Sequence, residues 1–151
     1  MAEVKDNAQT LNNQLHLRIV SAEEAIFSDH VVSLSVNGSE GSLGIRPGHS
    51  PLLTLIPAGN VTYIDLKGQQ KIVNVCGGVL EVQPLSVTVL ADTAIRGEDI
   101  EESKALEAKR QAEEKLSHSS GDQDYNQALS ELSRALSQIK AIELSRQGRV
   151  K

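Results

Sequence analysis

The sequence predicts a β + α protein: an N-terminal antiparallel β-sandwich or flattened barrel, followed by a C-terminal antiparallel two-helix hairpin. Three observations predict this division. Short apolar runs separated by turn residues fill the chain up to about Arg96. From Gly97 onward there is no proline, and valine occurs only at Val150. In that second part apolar residues recur every three or four positions, the period of an amphipathic helix.

The predicted strands follow one another at short intervals. Apolar and polar residues alternate from Leu15 to Ile19 and from Val32 to Val36, which is the pattern of half-buried strands. A short strand is expected over Leu52–Ile56, closed by the proline at position 57. The four-residue segments 67–70 and 83–86 are expected to be hairpin turns, and Asn37-Gly38 is a further turn signal. Gly77-Gly78 is expected to interrupt the pattern.

The second part predicts two helices. Asp99 is the expected cap of the first helix, with Glu102 completing a capping box. Its predicted packing face is made of small residues, Ala105, Ala108, Ala112 and Leu116. Ser117 to Gly121 ends it, and Asp122 or Asp124 begins the second helix. The second helix carries an apolar stripe predicted from Leu129, Leu132, Leu136 and Ile139, with a second repeat at Ala128, Ala135 and Ile142.

Composition excludes several function classes. The net charge of −5 and the presence of only three aromatic side chains argue against a nucleic-acid surface. The single cysteine, Cys76, excludes an intramolecular disulfide and fits a reducing compartment. No apolar stretch approaches the roughly 20 residues of a membrane span. Residues 1–13 are polar and are expected to form a flexible extension, with the β domain at 14–96 and the helices at 97–151.

The sequence offers weak evidence for catalysis. Cys76 ends an apolar strand, and His49 lies in a loop with two prolines, so a small hydrolase using both remains one alternative. The glycine-rich segment 38–44 lacks the lysine of a phosphate-binding loop. A buried cysteine and a structural histidine are the simpler interpretation. A second alternative is a free-standing adaptor whose hairpin docks an unrelated acidic helix.

Positive charge gathers near the C-terminus of this acidic chain. From Asn126 to Lys151 five basic residues, among them Arg134, Lys140 and Arg146, outnumber two acids, and an acidic protein partner would explain them. Charge alone favours a solvated helix face over a binding surface, because basic residues near the C-terminus of a helix also complement its dipole.

Several blocks of sequence, in one order, resemble a known family. The first block is Gly41-Ser42-Leu43-Gly44-Ile45-Arg46-Pro47-Gly48-His49-Ser50-Pro51-Leu52-Leu53. It is followed by segments 77–82 and 87–94, and by helical blocks at 107–110 and 127–144. Together these blocks resemble the epsilon subunit of the F-type rotary ATP synthase, in the bacterial form with two C-terminal helices.

The resemblance implies a non-catalytic subunit of the central stalk. Such a subunit binds the gamma subunit and the c-ring, turns with the rotor, and couples proton flow to ATP synthesis carried out by other subunits. It implies that Glu40, Gly41, Ser42 and Leu43 face the c-ring, although many relatives have a carboxylate at the position of Ser42. It assigns His49 to the gamma-facing side. The implied location is the cytoplasmic face of the bacterial inner membrane, reached only through the complex.

The resemblance also implies a mobile hairpin. In relatives it folds on the sandwich or extends along gamma and inhibits ATP hydrolysis, so Arg134, Lys140 and Arg146 are expected to meet an acidic segment of beta. Gly97 is the expected hinge. Some relatives bind ATP through an Ile/Leu-Asp-x-x-Arg-Ala motif. Here Glu101 and Lys104 replace its aspartate and arginine, so weak or no regulatory ATP binding and no cofactor are expected.

Overall fold

A computed structural model describes residues 13–149 of the 151-residue chain. The predicted flexible extension lies outside the described residues, apart from Asn13. Seven strands precede two helices: β1 (Leu15–Ser21), β2 (Ala25–Gly38), β3 (Gly41–Ile45), β4 (Leu52–Asp65), β5 (Gln70–Gln83), β6 (Ser86–Ala91), β7 (Ala94–Arg96), α1 (Glu102–His118) and α2 (Asp122–Arg149). A short 3-10 turn, Gly97–Asp99, separates β7 from α1.

The strands form one sheet that closes on itself, which confirms the predicted sandwich or flattened barrel. The hydrogen-bonded order is β1-β6-β5-β4-β2-β3, and β1 also pairs with β2 to close the ring. All pairings are antiparallel except β1 with β6. That parallel pair departs from the purely antiparallel expectation. The interior is filled by aliphatic side chains; Leu15, Leu17, Ile19, Leu80, Val82, Val87 and Val89 are fully buried.

The predicted strand break at Pro57 is wrong, because β4 continues to Asp65. Pairing with β5 passes from Ile56–Gly78 to Ala58–Cys76, so Pro57 and Gly77 are not a registered pair. The pairing of β4 with β5 therefore continues on both sides of Pro57, whose nitrogen has no hydrogen to donate. The predicted interruption at Gly77-Gly78 does not end the strand, although both glycines have a positive φ, 88° and 149°. Both glycines remain in β5, and a Cβ on Gly78 would lie only 2.0 Å from the carbonyl oxygen of Leu90.

Two local predictions in β2 are shifted. The alternation expected from Val32 to Val36 holds at Leu34 and Val36, which are buried, but fails at Val32, because an irregularity between Val31 and Ser33 buries Val31 and leaves Val32 exposed. The turn expected at Asn37-Gly38 lies two residues further on. Strand β2 continues through Gly38, and the turn residues are Ser39 and Glu40.

The two helices are antiparallel, as predicted. Lys115 pairs with Glu131 near the connection, and Glu102 pairs with Arg146 at the opposite end. Their connection is residues 119–121. The predicted Asp99 cap is wrong, because Asp99 lies in the 3-10 turn and Ile100 is extended. The helix begins at Glu102 with no side-chain cap hydrogen bond.

The packing face of the hairpin is narrower than predicted. The fully buried positions are mostly alanines, at Ala105, Ala112, Ala128, Ala135 and Ala141, together with Ile142. Leu129 and Leu136 from the predicted stripe are 46% and 45% exposed, and Ala108 is exposed too. Small side chains let two helix backbones approach closely, which displaces the larger leucines to the flank. Within the described residues, neither helix is long and apolar enough to cross a bilayer.

Candidate functional site

The β2–β3 turn is the first predicted contact surface. Glu40, Gly41 and Ser42 are exposed, whereas Leu43 is half-buried and packs against the sandwich core. The Ser42 hydroxyl lies 3.2 Å from the Ser35 hydroxyl on the neighbouring strand. Gly41 adopts a φ of 129°, a conformation that glycine tolerates and other residues avoid. The turn therefore presents a short polar surface on a fixed hairpin.

The loop that contains His49 is held in place by hydrogen bonds. The ring nitrogen Nδ1 of His49 lies 2.8 Å from the carbonyl oxygen of Ser50, and its backbone N–H donates to Arg46. The Gly48 N–H donates to the carbonyl of Pro84 at 2.7 Å, which ties the loop to the β5–β6 turn. His49 and Arg46 line a groove of about 550 Å³ together with β2 and β3 residues. The predicted c-ring residues 40–43 do not line this groove.

A third surface was missed by sequence reasoning. Leu53 and Leu55, both 72% exposed, lie on the outer face of β4, and Leu90 of β6 is 53% exposed. Leu55 is directly opposite Val79 of β5, and Val79 is directly opposite Leu90, so the three share one face. We call Leu53, Leu55, Val79 and Leu90 the outer patch. The signal was present, because the run Leu52–Ile56 makes both faces of the strand largely apolar.

Helix α2 docks on the sandwich through a polar cluster. The Asn74 Nδ2 group lies 2.7 Å from the Ser137 hydroxyl, 2.9 Å from Asn60 Oδ1 and 3.2 Å from the Gly59 carbonyl oxygen. The Asn60 Nδ2 group donates to the Ser137 carbonyl oxygen at 3.2 Å. Asn60 and Asn74 are directly opposite each other on β4 and β5. Two sheet residues therefore bind one residue of α2.

Small residues bring the rest of α2 close to the sheet. A Cβ on Gly97 would lie 3.3 Å from the Ile72 carbonyl oxygen and 3.4 Å from Ser145 Cβ. A Cβ on Gly148 would lie 3.1 Å from the Gln70 carbonyl oxygen. The predicted hinge, Gly97, is therefore buried between β5 and α2 in this conformation. Close approach gives a physical reason for glycine at this position besides dihedral freedom.

A groove of about 730 Å³ runs between the β4–β5 turn and the C-terminal end of α2. Tyr63 and Arg96 line it, and the Arg96 guanidinium donates two hydrogen bonds to the Ile26 carbonyl, at 2.7 and 3.2 Å. The Tyr63 ring packs on Phe27 with ring centroids 4.6 Å apart. Burial raises the pKa of Tyr63 to about 12, against a smaller lowering effect of Arg96.

The three predicted inhibitory cations do not form one patch. Arg134, Lys140 and Arg146 are six residues apart, and successive helical residues are rotated by about 100°. The three positions therefore lie on faces roughly 120° apart. Arg146 is engaged by both carboxylate oxygens of Glu102, which raises the pKa of Arg146. Arg134 and Lys140 are exposed, and Arg134 adds to the effect of Lys115 in lowering the pKa of Glu131.

The remaining candidates do not assemble into a catalytic site. Cys76 is half-buried in β5, opposite Ala58, and does not line the groove that holds His49. The described residues contain no group of three or more His, Cys, Asp or Glu side chains placed to hold a metal ion. In the ATP-motif segment, Lys104 pairs with Glu101 at 3.0 Å, with both side chains exposed.

The comparisons with known proteins identify the class. Residues 14–97 match the ATP synthase Delta/Epsilon chain beta-sandwich domain, and residues 98–143 match its long alpha-helix domain. The chain therefore belongs to the ATP synthase delta/epsilon family and is a subunit of that complex.

Two solved structures share the fold. One is a chain of the Euglena gracilis mitochondrial ATP synthase, with TM-score 0.77 and 21% identity, covering 86% of this chain and 82% of that one. The other is from the Tetrahymena thermophila mitochondrial ATP synthase central stalk and c-ring, with TM-score 0.60 and 12% identity, covering 85% of this chain and 96% of that one.

Proposed function

We propose that this chain is a non-catalytic rotor subunit of the central stalk of a bacterial F-type ATP synthase. In that role it couples proton flow through the c-ring to ATP synthesis, and its helices inhibit ATP hydrolysis. The observation that carries the proposal is the outer patch. Large aliphatic side chains that are 72% exposed on a rigid sheet favour a permanent partner, because water contact with such a surface is unfavourable.

We assign the outer patch to the gamma subunit and the β2–β3 turn to the c-ring. The patch is apolar and flat, which suits a stable interface within a stalk. The turn is polar and short, with Glu40 as its one carboxylate and a serine at position 42. Such a turn suits a contact with polar loops of a ring. His49 is assigned to the gamma-facing side. The chain then reaches the cytoplasmic face of the inner membrane only through these partners.

The cations of α2 support an inhibitory role of a particular kind. Because Arg134, Lys140 and Arg146 point to three faces, one flat acidic surface would meet only one or two of them. A cavity that surrounds the helix would meet all three, and we propose such a cavity, lined by beta and alpha subunits. Arg146 must first leave Glu102. An exposed ion pair is weak, so this exchange of partners is feasible.

Regulatory ATP binding is proposed to be weak or absent, with no cofactor held. The planar fork of arginine binds phosphate through two parallel hydrogen bonds, and the ammonium of Lys104 does not reproduce it. In the structure Lys104 instead pairs with Glu101, the other departure from the motif. Calorimetry that gives micromolar ATP affinity for the isolated chain would contradict this.

The test replaces the native chain in the assembled complex with variants of the outer patch. Leu55→Asp is expected to reduce recovery of the chain with gamma at least about tenfold, because it buries a carboxylate in the interface. Leu66→Asp is the matched control, because Leu66 is also exposed but lies in the β4–β5 turn. Circular dichroism verifies that both variants fold. Stoichiometric assembly of the Leu55→Asp chain would overturn the proposed gamma interface.

A second arm truncates the chain after Arg96. Assembly and proton-coupled synthesis are expected to persist, while ATP hydrolysis by the complex rises. Unchanged hydrolysis would show that the hairpin is not an inhibitor here. The free-standing adaptor alternative predicts instead that the full chain never co-purifies with gamma. The hydrolase alternative requires an activity that disappears in Cys76→Ser.

A further inference from the structure

The interface between α2 and the sheet contains a buried amide, whereas the buried residues of the sandwich core are aliphatic apart from Tyr63. Among the described residues, Asn74 is the one polar side chain that is as buried as the aliphatic core, at 2% exposed. It points toward α2 and not into the sandwich interior, because its amide meets Ser137. Burying an amide is unfavourable unless its hydrogen bonds are made, so this position constrains what can cover it.

We propose that Asn60, Asn74 and Ser137 form a latch that holds α2 on the sheet and makes the docked hairpin a separately opening unit. The latch is held by hydrogen bonds. The Ser137 hydroxyl is the nearest of three acceptors around Asn74 Nδ2, at 2.7 Å, and the Asn60 Nδ2 group donates to the backbone carbonyl of the same residue. A shift of α2 by one turn that brought Ala141 to this place would remove the nearest acceptor of Asn74, whereas the opposite shift would bring Ser133, another hydroxyl.

The latch also explains why the hairpin can open without unfolding the sandwich. The positions of α2 that approach the sheet most closely are small residues, Ser137, Ala141, Ser145 and Gly148, and Leu144 lies beside them in the groove next to β4 and β5. The small residues bury little aliphatic surface compared with the Leu, Ile and Val side chains inside the sandwich. On opening, water replaces the partners of Asn60 and Asn74, so the amides keep their hydrogen bonds. The α2–sheet interface is therefore weaker than the core and independent of it.

The latch is a property of the isolated full-length chain. Its consequence for the complex, a shift between docked and released hairpin, rests on the function proposed above. An undocked two-helix hairpin is marginally stable, so its helices fray once they leave the sheet. Amide hydrogen exchange in α2, followed separately from exchange in the strands, therefore measures latch opening in the isolated chain.

The first variant is Ser137→Ala. Exchange of α2 amides is expected to rise about five-fold, the size expected for losing one net hydrogen bond, while strand amides stay unchanged. Ser133→Ala is the matched control, because Ser133 is an exposed serine one turn earlier in the same helix. Equal exchange in the two variants would overturn the latch. A parallel rise in strand and helix amides would overturn it too, since the cluster would then support only global stability.

The second variant, Asn74→Asp, keeps the shape of the side chain but removes the donor. A carboxylate there faces the Gly59 carbonyl and Asn60 Oδ1, both acceptors, so α2 exchange is expected to rise at least about thirtyfold. Protected strand amides show that the sandwich is intact. If the strands lose protection, the Ser137→Ala comparison decides, because Ser137 is on the helix. These outcomes are independent of assembly with gamma, so failure of the latch and failure of the proposed function are distinguishable.

Discussion

The interior of the sandwich and the interfaces of the hairpin are built from different residues. Inside the sandwich, leucine, isoleucine and valine from opposite walls exclude water. Between the helices the buried residues are mainly alanines. Helix α2 meets the sheet through small residues, the buried Asn74, the half-buried Asn60 and Ile72, which is buried outside the sandwich core. Burial of large aliphatic groups stabilises most strongly, at about 25 cal/mol per Å². One chain thus combines a rigid body with an attachment that is held more weakly.

The difference extends to the groups that titrate. Near the core, Tyr63 is a nearly buried phenol, 7% exposed, whose pKa is raised by burial. In the hairpin, carboxylates with lowered pKa form exposed ion pairs. Because the two shifts have opposite signs, the sandwich and the hairpin should lose stability at opposite ends of the pH scale.

The largest expected effect tests the sandwich side of this comparison. The pKa of Tyr63 is about 12 in the folded chain and 10.0 ordinarily. The contribution of Tyr63 to the free energy of unfolding is therefore fully present below pH 10 and is lost as the pH rises toward 12. The expected loss is about 2–3 kcal/mol, measured by urea unfolding at alkaline pH. Tyr63→Phe should remove most of this pH dependence. Tyr125→Phe, a half-exposed ring on α2, is the control. An unchanged alkaline profile in Tyr63→Phe would contradict the assignment.

The next effect tests the attachment. Gly97→Ala places a Cβ within 3.3 Å of a carbonyl oxygen of β5 and 3.4 Å of Ser145, so α2 must move outward. Docking should weaken by about 1–2 kcal/mol, seen as faster amide exchange in α2 with unchanged strands. Gly121→Ala, in the helix connection with open space around it, is the control.

The same variant separates two roles of Gly97. If the residue served only as a hinge, alanine would restrict the backbone and leave the docked hairpin equally or more protected. Faster exchange favours close packing. Slower exchange would remove the packing argument and leave the hinge.

The sequence predicts the two regions unequally, and the reasons are physical. Alternation from Leu15 to Ile19 was sufficient for β1, because one wall of a sandwich imposes a period of two. Pro57 was misleading, since whether a proline ends a strand depends on which backbone groups face the neighbour. The helical periodicity of the hairpin was predicted correctly. Helix spacing alone, however, does not show whether the face with alanines or the face with leucines is buried. In the structure the alanine face is buried, because small residues such as Ala128 and Ala135 let the helix backbone approach its neighbour closely.

The candidate sites show the same limit. The β2–β3 turn was predicted at Asn37-Gly38 and lies two residues further on, and Leu43, predicted as a contact residue, packs against the core. Three cations in one helix were expected to meet one acidic segment of beta, yet spacing by six residues separates them around the helix axis. Asn74, inside the apolar run from Ile72 to Cys76, was a signal that the run faces two environments. Only the fold shows that its partner is Ser137, 63 residues away.

The smallest expected effect tests the hairpin side of the pH comparison. Lys115 donates to Glu131 across the two helices at 2.8 Å, and this bond lowers the pKa of Glu131 below its ordinary value of 4.5. A lowered folded pKa means that the contribution is present above the ordinary value and disappears as the pH falls through the folded value. Protection factors in α1 and α2 should therefore decline on acidification, while those in the strands stay constant.

Glu131→Gln should remove the part of that decline that belongs to the pair, and Glu143→Gln, an exposed acid further along α2, is the control. Because both partners are partly exposed, salt at about 0.5 M should screen the same contribution at neutral pH. If acid and salt lowered protection in strands and helices together, the two regions would open as one unit. The separation of a rigid sandwich from a weakly attached hairpin would then fail, and the latch at Asn74 could not act on the hairpin alone.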